Sequence, residues 1–82
     1  MTENNLITIT IKLFANLREL GPAKTIEKFQ KDTTVQVILD KYQLPFKEMK
    51  LIILINGKPH ITPEYILKDG DVLAIFPPLA GG

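Results

Sequence analysis

The chain has 82 residues, 45% of them apolar and 23% charged, the raw material of one small domain that buries roughly 60% of its unfolded surface. Ten basic residues against nine acidic ones leave a net charge of +1, too weak a field to recruit nucleic acid or an anionic membrane. With no cysteine, no serine and a single histidine, His60, the chain excludes disulfide frameworks, thiolate zinc sites and Ser–His or Cys–His nucleophile pairs.

The first element is "LITITIKLF", in which Ile7, Ile9, Ile11 and Leu13 alternate with Thr8, Thr10 and Lys12. A period of two rich in β-branched residues predicts a half-buried strand. Phe14 falls on the polar parity, so it is expected on the face opposite Ile11 and Leu13. "ANLREL" predicts one or two helical turns with Leu17 and Leu20 facing inward, broken by Gly21-Pro22. "KTIEKF" reads as a second strand of poor alternation. In "DTTVQVILDKYQL", Thr33 and Gln36 fit a capping box. Val35, Ile38, Leu39 and Tyr42 then form one helical stripe. Pro45 disfavours helix at Leu44, which predicts an end near Gln43.

"LIILI", Leu51 to Ile55, predicts a central strand covered on one side by that helix. Asn56-Gly57 supplies a hairpin turn. "KPHI" is a short edge strand, because Pro59 has no N–H for the ladder, and it leaves His60 as an exposed side chain. "TPEYILKDGD" is a connection with one turn of helix and an Asp69-Gly70 turn. Asp69 and Asp71 are read as turn residues rather than metal ligands. "DVLAIF" is the final strand. One helix covers only one face of a sheet, so an α+β layer is expected, its other face exposed or used by a partner. The longest apolar run is too short for a bilayer and "MTENNL" lacks the regions of a signal peptide, so a cytoplasmic protein is expected.

"LFANLREL" after the first strand, "LING" in mid-chain and "KDGDVLAIFPPLAGG" at the end resemble the MoaD/ThiS family of sulfur carriers, nearest the small subunit of molybdopterin synthase. The resemblance spans essentially the whole chain and is most specific in "DGD…FPP…GG". It implies a ubiquitin-like β-grasp fold, a mixed sheet of about five strands with one main helix on one face. Residues 1–76 are then the domain and residues 77–82 an extended tail. It implies no catalytic residue and no bound cofactor or metal in this chain; ATP and a sulfur donor are used by partner enzymes. Those partners are an E1-like adenylating enzyme and the large synthase subunit, the latter forming with this chain a hetero-oligomer, by analogy a heterotetramer. The large subunit uses the carrier's thiocarboxylate to place dithiolene sulfur on a pterin precursor. A hydrophobic docking surface is implied around Phe14 and Phe76, with Arg18, Pro77 and Pro78 as further partner-binding residues.

The chemistry of the tail follows from its residues. A terminal carboxylate has a pKa of about 3.3–3.7 and is a poor electrophile at neutral pH. ATP converts it to an acyl-adenylate, and sulfide then displaces AMP to give a thiocarboxylate on Gly82. Gly81 and Gly82 lack Cβ and fit a narrow channel, while Pro77 and Pro78 fix φ near −65° and direct the tail away from the sheet. With Leu79 and Ala80 the six residues after Phe76 reach at most ~20 Å, and Leu79 is expected to pack against the partner. Three other readings stand beside this one. They are a carrier for thiazole or another sulfur pathway, a ubiquitin-like modifier joined through Gly82 to lysines, and a β-grasp binding module for RNA. Scattered lysines without a basic, aromatic-rich face argue against the last.

Overall fold

A computed structural model describes residues 5–78. Four strands form one sheet: β1 (Leu6–Leu13), β2 (Lys24–Gln30), β3 (Ile52–Ile55) and β4 (Val72–Phe76), in the order β2-β1-β4-β3. β1 is antiparallel to β2, parallel to β4 in the middle, and β4 is antiparallel to β3. A 3₁₀ helix (Ala15–Glu19) follows β1, helix α1 (Val35–Lys41) follows β2, and a single turn, α2 (Phe46–Met49), leads into β3. This is the ubiquitin-like β-grasp arrangement expected from the sequence, with four strands instead of about five.

Alternation puts Ile7, Ile9, Ile11 and Leu13 of β1, Leu73 and Ile75 of β4, and Ile53 and Ile55 of β3 on one face. Val35, Ile38 and Leu39 of α1 lie over them with no solvent exposure, joined by Leu17, Leu44 and Leu67. Each such side chain contributes about 1.5–3 kcal/mol by leaving water. Tyr42, the last member of the predicted stripe, packs on the rim of this core.

Several expectations are corrected, the first by contacts made at a distance along the chain. The capping box does not form. Thr34 is the N-cap, without a side-chain bond; the Thr33 hydroxyl donates to the Gln30 carbonyl and the Gln36 amide to Asp40. The first helical N–H groups are instead satisfied by backbone carbonyls of the 62–66 segment, Val35 to Tyr65 and Gln36 to Pro63 at 3.0 and 2.9 Å. These are the orphan donors every helix start must place. The helix ends at Lys41, and Gln43 takes a φ of 56°.

Leu17 is buried as predicted, but Leu20 lies at the end of the 3₁₀ helix, 49% exposed. "LIILI" supplies an edge strand, since β4 occupies the centre. Asn56 and Gly57 have φ of 51° and 84°, as the hairpin requires. The returning segment bridges Ile55 at Lys58, and the Ile61 N–H donates to the Ile53 carbonyl at 3.2 Å. No continuous strand forms between them, because Pro59 has no donor and His60, at φ 65°, is out of the extended range. Residues 62–71 hold turns but no helix.

Candidate functional site

β4 ends at Phe76, one position before Pro77, and this end of the sheet carries the candidate site. Parity sends Leu73 and Ile75 into the core and Val72, Ala74 and Phe76 to the opposite, open face. The parallel register sets Leu13 beside Ile75, and the Phe14 N–H donates to the Ile75 carbonyl at 3.2 Å. The next side chains along, Phe14 and Phe76, therefore meet on the open face. Their rings stack with centroids 4.1 Å apart and planes 10° from parallel. Each ring shields one face of the other, and both residues stay half-buried, leaving apolar surface toward solvent.

The patch continues across the edge strand. Ile52 is the register partner of Phe76 and Leu54 that of Ala74. Ile52 is 38% exposed, a large aliphatic side chain with no helix to cover it. Phe14, Phe76, Ile52, Leu54, Ala74 and Val72 thus make one apolar surface around the point where the chain leaves the sheet. Phe14 and Phe76 were expected here. The aliphatic members were not, although "LIILI" carried a signal: in a one-helix fold its alternate residues have no second layer to enter.

The turn after Phe14 is tight. Ala15 has a φ of 55°, the left-handed region that a Cβ disfavours by roughly 1–2 kcal/mol. Leu17, fully buried, anchors the 3₁₀ helix, and its N–H donates to the Phe14 carbonyl. Arg18 stands exposed in the last turn of that helix, close in sequence to the aromatic pair. Pro77 is half-buried and Pro78 exposed. Leu79, Ala80, Gly81 and Gly82, the residues expected to carry the chemistry, lie outside the described residues.

The other quoted motifs are structural. Asp71 is the buried charged residue among the described residues. Its carboxylate accepts from the Asn56 side-chain amide at 2.9 Å and from the Lys68 N–H at 2.8 Å. Asn56 Oδ1 in turn accepts from the Val72 N–H. "LING" and "KDGD" are therefore two halves of one clamp joining the β3 turn to the start of β4. Asp69 accepts from the Thr8 N–H at 2.7 Å, and Gly70, at φ 89°, makes the turn between the two carboxylates. Among the described residues no group of three or more His, Cys, Asp or Glu is placed to hold a metal. Nor is any described helix long and apolar enough to cross a membrane.

Residues 11–82 match the model of the ThiS family. The chain is 31% identical to the molybdopterin synthase sulfur carrier subunit of Arabidopsis thaliana, over 98% of this chain and 88% of that protein. The structure superposes on small archaeal modifier protein 1 of Haloferax volcanii with a TM-score of 0.73 at 25% identity, covering 89% of this chain and 99% of that one. It also superposes on a chain from the complex of subunits 1 and 2 of the molybdopterin-converting factor of Helicobacter pylori. That match has a TM-score of 0.62 at 21% identity, over 93% of this chain and all of the other.

Proposed function

This chain belongs to the ThiS family, and on that footing we propose that it is a sulfur carrier working as the small subunit of a molybdopterin synthase. The observation that carries the reading is the position of the apolar surface. It surrounds the exit of β4, so a protein seated on Phe14, Phe76 and Ile52 holds the tail that follows Pro77. The similarity to the plant carrier subunit supports molybdopterin over thiazole.

In this reading the domain does no chemistry of its own. An E1-like enzyme joins the Gly82 carboxylate to AMP with release of pyrophosphate, and a sulfide equivalent displaces AMP. The resulting thiocarboxylate is a soft nucleophile at the end of the tail. The large synthase subunit takes it into its own site, where sulfur passes to a pterin precursor. The prolines restrict φ at the root of the tail, which lowers the entropy lost when it is threaded.

A small archaeal modifier protein is among the structural neighbours, and the second reading is conjugation of Gly82 to lysines of other proteins. Both uses start from the same adenylate. Incubation with ATP, the adenylating enzyme and a sulfur donor, followed by intact-mass measurement, separates them. Replacement of one oxygen by one sulfur is the expected result, with no change on a chain lacking Gly82. Conjugate ladders without that replacement would transfer the reading to protein modification.

A further inference from the structure

The open face has a second half. On β1 and β2 the residues sharing the face of Phe76 are Thr8, Thr10 and Lys12, and Lys24, Ile26 and Lys28. Lys12 and Lys24 are direct register partners, two ammonium groups set opposite each other. Like charges in that position destabilise a sheet. Lys28 follows Lys24 by four residues on the same face, about 13 Å along the strand. Between them Ile26 is 64% exposed. No outward position of the four strands holds a carboxylate.

The helix-side lysine shows the contrast. Lys41 pairs with Glu27, whose hydrogen bond holds the ammonium pKa above its ordinary value, and this is the ion pair among the described residues. Three lysines of the open face are thus gathered on a chain of net charge +1, with one pair opposed and no ion-pair partner among the described residues. Lys12 also lies beside Ala74 in the parallel register, so the basic half adjoins the apolar half without a break.

We infer that Lys12, Lys24 and Lys28 dock the carboxylates of an acidic protein surface, and that this surface belongs to the enzyme that adenylates the tail. The inference rests on the carrier reading and adds the chemistry of the partner. A carrier must leave its activating enzyme after every charging event. Electrostatic steering suits that demand, because it raises the association rate more than the lifetime of the complex. The apolar half positions the tail and the lysines bring the partner in.

The test is ATP–pyrophosphate exchange by the adenylating enzyme, with the full chain as varied substrate. Charge reversal at Lys24→Glu and Lys28→Glu together is expected to raise KM about tenfold at low ionic strength, with kcat changed less than about twofold. The difference should shrink strongly in roughly 0.5 M salt, where screening is short-ranged. Lys24→Arg with Lys28→Arg should keep the original KM. Thermal unfolding of the reversed variant should show no loss of Tm, since Glu at position 24 faces Lys12. An unchanged KM, or a rise that salt does not diminish or that the arginine variant shares, overturns the inference. Absence of exchange with the unmodified chain removes the carrier reading, and this inference with it.

Discussion

The two faces of this sheet are built from the same strands and have opposite chemistry. On the helix side, alternate residues of β1, β3 and β4 are all apolar and almost free of solvent contact, and α1 closes over them. On the open side the sheet carries an aromatic stack, an aliphatic patch and, on β1 and β2, lysines, with no layer above among the described residues. The difference teaches how one short chain keeps stability and recognition apart. A substitution on the inner face changes the folding equilibrium, while one on the outer face leaves the fold and changes what it meets.

The largest effect should come from the inner face. Ile11 is 1% exposed on a central strand, and Ile11→Ala should cost about 3 kcal/mol from lost burial and the cavity left behind. For a domain this small that is a large part of a total stability of about 5–15 kcal/mol. Urea denaturation reads it directly. A loss no larger than that of an outer-face residue would erase the division between the faces.

The next effect should appear in binding. Phe76→Ala removes half of the aromatic stack at the root of the tail. Anchor residues of this kind commonly carry about 2 kcal/mol of an interface, so affinity for the large synthase subunit should fall more than about tenfold. The unfolding midpoint should move far less than for Ile11→Ala, because the ring is only half-buried. Calorimetric titration beside a denaturation curve gives both numbers. Unchanged affinity would take Phe76 out of the interface and leave the patch without its centre.

What could be read from the sequence divides along the same line. The period of two in "LITITIKLF" and the stripe Val35, Ile38, Leu39 and Tyr42 are local patterns that tertiary structure reinforced, and both elements stand where they were expected. Phe14 was placed on the correct face by parity alone. Features fixed by distant contacts were not legible. The Thr33–Gln36 box lost to carbonyls of Pro63 and Tyr65, which no local spacing announces. The apolar run "LIILI" suggested a central strand covered on one side by the helix, because a short continuous apolar run is the usual pattern of a buried strand. Here one of its faces is apolar at a sheet edge without being covered, which is the mark of a surface kept for something else. The lysines of β1 and β2 looked scattered along the chain, since the pairing of Lys12 with Lys24 exists only after the strands are in register. Gly21 shows the same limit. It reads as a helix breaker, yet a Cβ there would also meet the Tyr42 ring at 2.8 Å, a packing need that only the folded chain reveals.

The smallest effect tests the seam between the faces. Ala15 holds φ at 55° in the step that turns the chain out of β1, with Phe14 on the open face just before it and Leu17 in the core just after. Glycine adopts this conformation without the Cβ clash, although it also gives the unfolded chain more freedom. Relief of about 1 kcal/mol of left-handed strain against a glycine entropy cost of about 0.5–1 kcal/mol leaves Ala15→Gly within about 0.5 kcal/mol of the original stability. Binding of the large subunit should stay unchanged if the backbone path, and not the alanine methyl, sets the position of Phe14. A drop in affinity at unchanged stability would mean that the methyl group itself meets the partner, and the docking surface would then extend past the aromatic pair onto the 3₁₀ turn and Arg18.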